Sequence, residues 1–272
     1  MSTATLGAPV SLKAFFGFTR HPFPPSCPPE PLSRSGAIEA ALKAAKDALA
    51  SRLHVLLTAP AGSGKSSFLR LLVSELNPRD VRAVRLTGQG LGLMEIVQKV
   101  ADDLGLEMSF RKANAVKFLA AGLKKLAGQA PWPVLILDEA QNVPTPAIDQ
   151  IRLVAEEAIP PLLGMVLAGD ETFRRTLHKQ ANAPLSGRLS VRIRLAPMTA
   201  SETEGFIAHG FKAAGMQNIL APTALGAVHA AAGGSPREVG AILSRSMVLA
   251  LEKQSRLLSD EIVQEVLDER GK

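Results

Sequence analysis

The sequence contains one cysteine, no tyrosine and no long apolar run, and each of these absences excludes a class of protein. A single thiol, Cys27, cannot form an internal disulfide, so the chain is not a disulfide-stapled secreted domain. One cysteine and five scattered histidines give no zinc-ligand spacing. No apolar run approaches the ~20 residues that a membrane-spanning helix needs, and the N-terminus has no signal-peptide pattern. We therefore expect a cytoplasmic protein without a membrane span.

Aromatic content and charge narrow the possible partners. Aromatics make up only 4% of the chain, which argues against a platform for stacking single-stranded bases. The net charge of +6 permits a polyanionic partner such as DNA, RNA or a lipid surface without requiring one. Solvated helix faces explain the basic residues equally well. These residues recur at Arg82, Arg85, Arg111, Lys112, Lys117, Lys124 and Lys125, of which Lys112 and Lys117 are the candidates for DNA contact.

A glycine-rich turn lies between an apolar segment and a helix-like segment. Residues 53–58 predict a strand, residues 67–76 predict a helix, and residues 59–66 read Ala-Pro-Ala-Gly-Ser-Gly-Lys-Ser. The backbone N–H groups of such a turn can point at one anion, and the following helix adds its positive N-terminal dipole. This pattern predicts a nucleoside triphosphate site with contacts from Pro60, Ala61, Gly62, Ser63, Gly64, Lys65, Ser66 and Ser67.

Lys65 and Ser66 are the chemically specific members of the turn. Lys65 supplies a positive charge for the β- and γ-phosphates, and the Ser66 hydroxyl is placed to bind Mg²⁺. The usual pattern begins with glycine, whereas Ala59 stands at that position; a methyl group is tolerable there if φ stays negative. A Gly-Lys pair can also arise by chance in a glycine-rich loop, so the prediction needs a second motif.

The second motif is an apolar run that ends in two carboxylates. Four branched apolar residues at 134–137 indicate a strand buried on both faces, and Asp138 and Glu139 follow it. The carboxyl end of such a strand is where ligands bind in open α/β sheets. We expect Asp138 to belong to the Mg²⁺ shell and Glu139 to activate the attacking water, which favours hydrolysis. The alternative is a solvated acidic turn after a core strand.

The order of elements predicts an α/β fold followed by an all-helical segment. Strand and helix patterns alternate up to residue 198, which predicts a parallel sheet flanked by helices, and only helical patterns follow. Six prolines between His21 and Leu32 exclude a helix there. The expected organisation is a Pro-rich arm at 1–34, a nucleotide-binding domain at 35–198 and a small helical lid domain at 199–272. The arm either packs on the core or docks on a neighbouring subunit.

Taken in order, these motifs resemble those of the AAA+ ATPases. More narrowly, the chain resembles the group that includes the secretion ATPase ExeA and the transposition ATPases TniB, TnsC and MuB. The resemblance covers most of the chain. It rests on the phosphate loop together with Phe15-Phe16-Gly17-Phe18, Asp138-Glu139-Ala140-Gln141, Gly169-Asp170, Leu185-Ser186-Gly187-Arg188 and Gly234-Ser235-Pro236-Arg237. It implies a P-loop AAA+ sheet with a helical lid, and ATP and Mg²⁺ as cofactors.

The resemblance also implies roles for individual residues. Arg237 is expected as the second sensor, reaching the γ-phosphate in its own subunit. Arg188 is expected as the arginine finger that projects into a neighbouring subunit's site, with Arg192 as the other candidate. Asp170 stands at the first-sensor position, where a carboxylate repels phosphate unless it orients water or pairs with an arginine. Gln141 either orients water or caps the turn. The expected catalytic residues are Glu139, Lys65, Arg188 and Arg237.

The expected function is that of a Mg²⁺-dependent ATP hydrolase that forms a homo-oligomeric ring or filament. It would bind double-stranded DNA without sequence preference and regulate target selection by a partner transposase. The chain lacks the membrane span and periplasmic part of ExeA-type secretion proteins, which favours the short transposition-type relatives. The alternatives are an ATPase that remodels a secretion or envelope complex, a DNA-loading ATPase of replication, and a nucleotide-binding structural module with little hydrolysis.

Overall fold

A five-stranded parallel sheet forms the centre of the α/β part of the chain. The computed structural model describes residues 11–24, 35–106 and 114–271. The strands are β1 (Val55–Thr58), β2 (Val81–Thr87), β3 (Trp132–Asp138), β4 (Gly164–Gly169) and β5 (Val191–Arg194). Their order in the sheet is β2-β3-β4-β1-β5, and all four neighbouring pairs run parallel. The predicted parallel α/β fold is confirmed.

Helices connect the strands and make up the C-terminal part. Those that precede β5 are α1 (Leu12–Phe16), α2 (Gly36–Ala50), α3 (Lys65–Glu75), α4 (Leu93–Leu104), α5 (Ala115–Leu126), α6 (Thr145–Ala155), α7 (Glu171–Leu177) and α8 (Ala183–Arg188). Those that follow β5 are α9 (Ala200–Ala213), α10 (Ala224–Ala232), α11 (Pro236–Glu252) and α12 (Asp260–Arg270). Within the described residues after 199, all regular elements are helical, as the sequence predicts.

Burial distinguishes the central strands from the edge strands. Every residue of β1, β3 and β4 is buried, whereas β2 and β5 alternate between buried and more exposed positions. The continuous apolar runs are therefore the strands covered on both faces. Helices α4, α5 and α6 pack together against one face, on which the alternate residues Leu135, Leu137, Met165 and Leu167 lie. Helices α2 and α3 pack together and also contact the sheet.

The contacts divide the chain into two units. Of the described residues, the α/β unit comprises those within 34–61 and 65–196, and the helical unit comprises those within 1–33, 62–64 and 197–272. The helical unit has its own core, which includes Phe18, Phe23, Phe206, Phe211, Val239 and Met247. No helix among the described residues is long and apolar enough to cross a membrane.

The N-terminal segment 11–24 packs into the helical unit. The Phe23 ring is 2% exposed and meets the Phe211 ring edge-on, with 5.2 Å between the centroids. A Cβ on Gly210 would lie 2.4 Å from the Phe23 ring, so this packing requires glycine. The Ser244 hydroxyl donates to the Phe23 carbonyl at 2.9 Å. The phenylalanines thus hold this segment in a core, while Cys27 and the prolines from 25 to 31 lie outside the described residues.

Candidate nucleotide-binding site

The carboxyl ends of β1, β3 and β4 meet at one edge of the sheet. Thr58 at the end of β1 pairs with Gly169 of β4, and Leu137 of β3 pairs with Leu167 of β4. The glycine-rich turn, the Asp138–Glu139 pair and Asp170 therefore leave the sheet at the same edge. Because β4 lies between β1 and β3, Asp170 follows the strand that separates the turn from the acid pair.

The glycine-rich turn begins directly at the end of β1. Ala59 is fully buried, and its N–H donates to the Gly169 carbonyl at 3.3 Å. Ala59 is not among the positive-φ residues, so its methyl group replaces the usual glycine hydrogen without backbone strain. Gly62 and Gly64 have φ of 78° and 87°, values that favour glycine. The turn keeps its two permissive positions and then enters α3 at Lys65.

Lys65 is a buried cation suited to an anionic ligand. The residue is 5% exposed, and its ammonium donates to the carbonyls of Ala59 and Pro60 at 3.2 Å each. Among the described residues, none of the salt bridges involves Lys65, and two carbonyls leave one of its three donors for a ligand. A buried charge without a salt bridge is costly, which a bound phosphate would relieve. The residues present therefore fit a nucleoside triphosphate.

The acid pair is held by a constrained main chain. Asp138 is 9% exposed, and its Oδ1 accepts the Glu139 N–H at 2.9 Å. Glu139 has a φ of 52°, in the left-handed region that side chains rarely adopt. Strain of this kind concentrates at functional sites. The oxygens of Asp138 and of the Ser66 hydroxyl belong to the hard-ligand class that Mg²⁺ prefers, so these residues also fit the metal.

Gly88, immediately after β2, supports the acid pair from the neighbouring strand. Its N–H donates to the Asp138 carbonyl at 2.8 Å. A Cβ on this glycine would lie 2.5 Å from the Glu139 carbonyl oxygen and 2.9 Å from a Val143 methyl. Only glycine therefore allows this approach. The role was not apparent from the sequence, because a lone glycine after a strand gives no sign of which strand it approaches.

Gln141 connects the acid pair to the end of β4. Its side-chain N–H₂ donates to the Glu139 carboxylate, and its Oε1 accepts the Asp170 backbone N–H at 3.3 Å. Gln141 lies in the 3₁₀ turn Ala140–Asn142, directly after Glu139. The two roles predicted for it were orienting water and capping the turn, and neither included a contact with Glu139.

Asp170 is the N-cap of α7. Its Oδ1 accepts the backbone N–H groups of Thr172 at 2.9 Å and Phe173 at 3.0 Å, and also the Thr172 hydroxyl. Burial raises the pKa of this carboxyl, but the hydrogen bonds from Thr172 and Phe173 and the charge of Lys65 outweigh it and hold the pKa below its usual range. The carboxylate is thus stabilised by a helix start as well as by the nearby cation.

A cluster not anticipated from the sequence lies beside Asp170. The Glu171 carboxylate accepts from Arg174 Nε at 2.6 Å and from Arg194 Nη2 at 3.0 Å. The hydrogen bond from Arg174 and the two guanidinium charges lower the pKa of Glu171. Arg194 pairs in register with Thr58, so this cluster also lies at the carboxyl edge. The one sequence feature that could have indicated this cluster is Arg194, the last residue of β5.

Arg188 and Arg192 lie away from this edge. Arg188 Nε is 3.5 Å from the Glu156 carboxylate, whose other oxygen is 3.6 Å from His54 Nε2. His54 immediately precedes β1, so Arg188 lies near the amino end of that strand, about 13 Å of strand from its own glycine-rich turn. Its side chain is 65% exposed. The Arg192 guanidinium is held by the Ser186 carbonyl and hydroxyl at 2.7 and 2.9 Å.

Arg237 belongs to the helical unit. It is the second residue of α11, which Ser235 caps, and its side chain is exposed. Within the same unit, the Ser235 hydroxyl and the Arg237 N–H donate to the Gly62 carbonyl at 3.3 and 3.4 Å. A Cβ on Gly62 would lie 2.7 Å from the Ser235 hydroxyl, which is a second reason for glycine at that position.

A comparison with protein families identifies the domain that carries this edge. Residues 49–177, which include the glycine-rich turn, the acid pair and Asp170, match the AAA domain family. Residues 49–177 therefore form an AAA-family P-loop ATPase domain. The match ends before Arg188 and Arg237, so the roles of these two arginines stay predictions.

A secretion protein and a solved structure are similar to this chain over most of its length. General secretion pathway protein A of Aeromonas hydrophila is 27% identical over 214 residues, which cover 74% of this chain and 38% of that protein. The Aeropyrum pernix ORC2 protein, solved with ADPNP and ADP, has a TM-score of 0.70 at 16% identity and covers 93% of this chain and 72% of its own.

The Aeropyrum pernix ORC1 protein, solved in complex with DNA, also has a similar fold. Its TM-score is 0.67 at 17% identity, over 85% of this chain and 65% of its own. At this level of identity the two solved structures establish the fold of the chain alone. Since the chain spans well under half of the secretion protein's length, the activity of that whole protein does not transfer directly.

Replacing Asp170 tests whether its main role is to cap α7. We expect Asp170→Ala to lower the melting temperature by about 2–4 °C, because losing an N-cap costs about 1 kcal/mol. Asp170→Asn should stay within about 1 °C of the wild type, since asparagine caps helices as well as aspartate does. Thermal unfolding at neutral pH measures both. Equal losses in the two variants would show that the charge, and not the cap, stabilises the fold.

Proposed function

We propose that this chain is a Mg²⁺-dependent ATP hydrolase that assembles on double-stranded DNA and regulates a partner transposase. The observation that carries the hydrolase part is the shared sheet edge. Lys65, a buried cation with no salt bridge to any described residue, lies there with the Asp138–Glu139 pair. The basic net charge is the main support for the DNA part. We place the protein in the cytoplasm, since a single cysteine suits a reducing compartment.

Each residue of the site has a distinct task in this proposal. The backbone N–H groups of the turn and the Lys65 ammonium bind the phosphates. Ser66 and Asp138 would hold Mg²⁺, which neutralises charge that develops on the phosphates. Glu139 orients the attacking water and accepts its proton. Arg237 is assigned to the γ-phosphate of the same subunit, and Asp170 to the first-sensor position, where its cap contacts leave Oδ2 for water.

Arg188 is proposed to act on a neighbouring subunit. It lies at the amino end of β1, too far from its own phosphate loop to reach it, and its side chain is mostly exposed. Arg192 is less free, because two contacts with Ser186 occupy its guanidinium. A guanidinium supplied by the next subunit stabilises charge on the transferring phosphoryl group, so hydrolysis would depend on assembly.

The proposed DNA contacts include one exposed face of α5. Lys117, Lys124 and Lys125 are exposed on this helix, which has no acidic residue, although Lys124 also pairs with Glu157 at 2.7 Å. Lysine contacts to phosphates give affinity without sequence preference. Lys112, the other candidate, lies outside the described residues.

A second candidate function is the remodelling of a secretion or envelope complex. The sequence similarity to General secretion pathway protein A favours it, at 27% identity over 74% of this chain. In that role the chain described here would act on a protein partner, so DNA would not change its rate of ATP hydrolysis. The two functions therefore differ in one measurable property.

Duplex DNA separates the two candidates. We expect steady-state ATP hydrolysis to rise with duplex DNA of mixed sequence, and this stimulation to fade between about 50 and about 200 mM salt as phosphate contacts are screened. Light scattering should show DNA-dependent growth in particle size under the same conditions. Turnover and size that ignore DNA would contradict the DNA-dependent function and favour the protein remodeller.

A pair of lysine variants controls for the loss of positive charge. Lys117→Gln should weaken DNA stimulation and reduce the salt dependence by about one counterion. Lys43→Gln removes the same charge from α2, where Lys43 is exposed and pairs with Asp47, and should leave the stimulation unchanged. Equal effects in both variants would mean that overall charge, and not the α5 face, attracts DNA.

A mixture of two inactive variants tests whether Arg188 acts on its neighbour. Glu139→Gln keeps the finger and loses the base, whereas Arg188→Ala keeps the base and loses the finger. Random mixing at equal concentrations should restore about a quarter of the wild-type rate, the share of interfaces that combine an intact base with an intact finger.

The matched control replaces the finger donor in that mixture. Arg188→Ala mixed with the double variant Glu139→Gln, Arg188→Ala contains no intact finger and should stay inactive. Light scattering establishes that both mixtures assemble. A first mixture that assembles but stays as inactive as the control would show that Arg188 serves its own subunit or none.

A further inference from the structure

The Gln141 side chain bridges two parts of the candidate site. Its N–H₂ group donates to the Glu139 carboxylate, and its Oε1 accepts the Asp170 N–H at 3.3 Å. Glu139 follows β3 and Asp170 follows β4, so the bridge joins the carboxyl ends of two adjacent strands. All three residues belong to the α/β unit.

The chemistry of the partners fixes the orientation of this amide. An ionised carboxylate can only accept hydrogen bonds, and a backbone N–H can only donate. The amide nitrogen must therefore face Glu139 and the amide oxygen must face Asp170, which is the arrangement found. Neither glutamate nor leucine at this position could satisfy both partners. Glutamine suits this position because its amide carries both a donor and an acceptor.

The main chain of Glu139 is already fixed by other contacts. Its carbonyl accepts the Asn142 N–H at 3.0 Å, and its N–H donates to Asp138 at 2.9 Å. Gly88 lies so close that a Cβ there would be 2.5 Å from the Glu139 carbonyl. With the backbone held, the remaining freedom of Glu139 is in its side-chain torsions. Gln141 donates to the one group that these torsions move.

We propose that Gln141 is a positioning residue that holds the Glu139 carboxylate in place for hydrolysis and ties it to the end of β4. This role rests on the proposed ATPase function. A general base must lie within hydrogen-bond reach of the proton that it accepts, and a displacement of about 1 Å can cost on the order of a hundredfold in rate. Gln141 supplies the restraint through one carboxylate oxygen, which leaves the second oxygen of Glu139 to accept the proton.

The bridge also gives the base a link to the phosphate-facing edge. Asp170 begins α7, and its N–H is the group to which Gln141 is anchored. A shift of the β4–α7 junction on nucleotide binding would therefore move the anchor of Gln141. The position of Glu139 then depends on the β4–α7 junction. This junction lies next to the phosphate loop, since the charge of Lys65 acts on the Asp170 carboxylate.

Two substitutions at Gln141 test the positioning role. Gln141→Met keeps the length of the side chain and removes both hydrogen bonds. Gln141→Glu keeps an acceptor for the Asp170 N–H but places a negative charge against Glu139. We expect kcat to fall about tenfold in the first variant and further in the second, since each loses the restraint on the base. The dissociation constant of a non-hydrolysable ATP analogue should stay within about twofold of the wild type.

Two controls separate positioning from folding. Gln98→Glu adds the same charge on the exposed face of α4 and should leave kcat unchanged. Melting temperatures of the Gln141 variants should stay within about 2 °C of the wild type, because Gln141 contributes little buried apolar surface. A fall in nucleotide affinity or stability that matches the fall in kcat would overturn the positioning role, as would an unchanged or raised kcat in Gln141→Met.

The wild-type rate, measured first, distinguishes this inference from the function on which it rests. A wild type that binds the ATP analogue but never turns over ATP, with or without DNA, would overturn the hydrolase function and the Gln141 role together. Wild-type turnover combined with full activity of Gln141→Met would overturn the Gln141 role alone.

Discussion

The alignment of the parallel strand ends is the constraint on which the rest of the site depends. The pairing of Thr58 with Gly169 and of Leu137 with Leu167 sets the phosphate loop, the acid pair and Asp170 at one edge. A one-residue slip of β3 would turn Asp138 to the other face of the sheet and move the buried apolar residues with it. The fully buried central strands resist such a slip, so the core that stabilises the sheet also fixes the chemistry.

The acid pair combines an unfavourable local conformation with several supporting contacts. A left-handed backbone at Glu139 costs on the order of 1 kcal/mol or more, which the surrounding structure must offset. Gly88 allows the close approach, Asp138 accepts the Glu139 N–H, and Gln141 holds the carboxylate. These contacts come from the ends of two strands, β2 and β3, and from one short turn. A residue that breaks a local backbone rule and is held in this way is typical of a functional site.

Strands and motifs formed by consecutive residues were predictable from the sequence, and contacts between residues far apart in the chain were not. The strands predicted at 53–58 and 134–137, the phosphate loop and the acid pair follow from apolar runs and adjacent polar residues. The strand order does not, because it depends on packing between helices far apart in the chain. Asp170 precedes a helix and accepts the Thr172 N–H as its N-cap. From the sequence we interpreted Asp170 as the first-sensor residue and did not predict this cap.

The long-range contacts of Phe23 and Gln141 illustrate the same limit. The prolines predicted an N-terminal arm but did not say where it packs, and Phe23 packs on Phe211, almost two hundred residues later in the chain. Gln141 stands two residues after Glu139, where a side chain can turn toward water, the turn or the carboxylate with equal ease. Only the position of Asp170 at the end of the neighbouring strand selects the bridge.

The measurement that tests the central claim most directly is ATP binding and hydrolysis by Glu139→Gln, compared with the wild type in the presence of Mg²⁺. If the acid pair at the sheet edge is the hydrolytic centre, the ATP dissociation constant stays within about threefold while kcat falls at least about a hundredfold, since only the proton acceptor is lost. A variant that hydrolyses ATP at the wild-type rate would contradict the account.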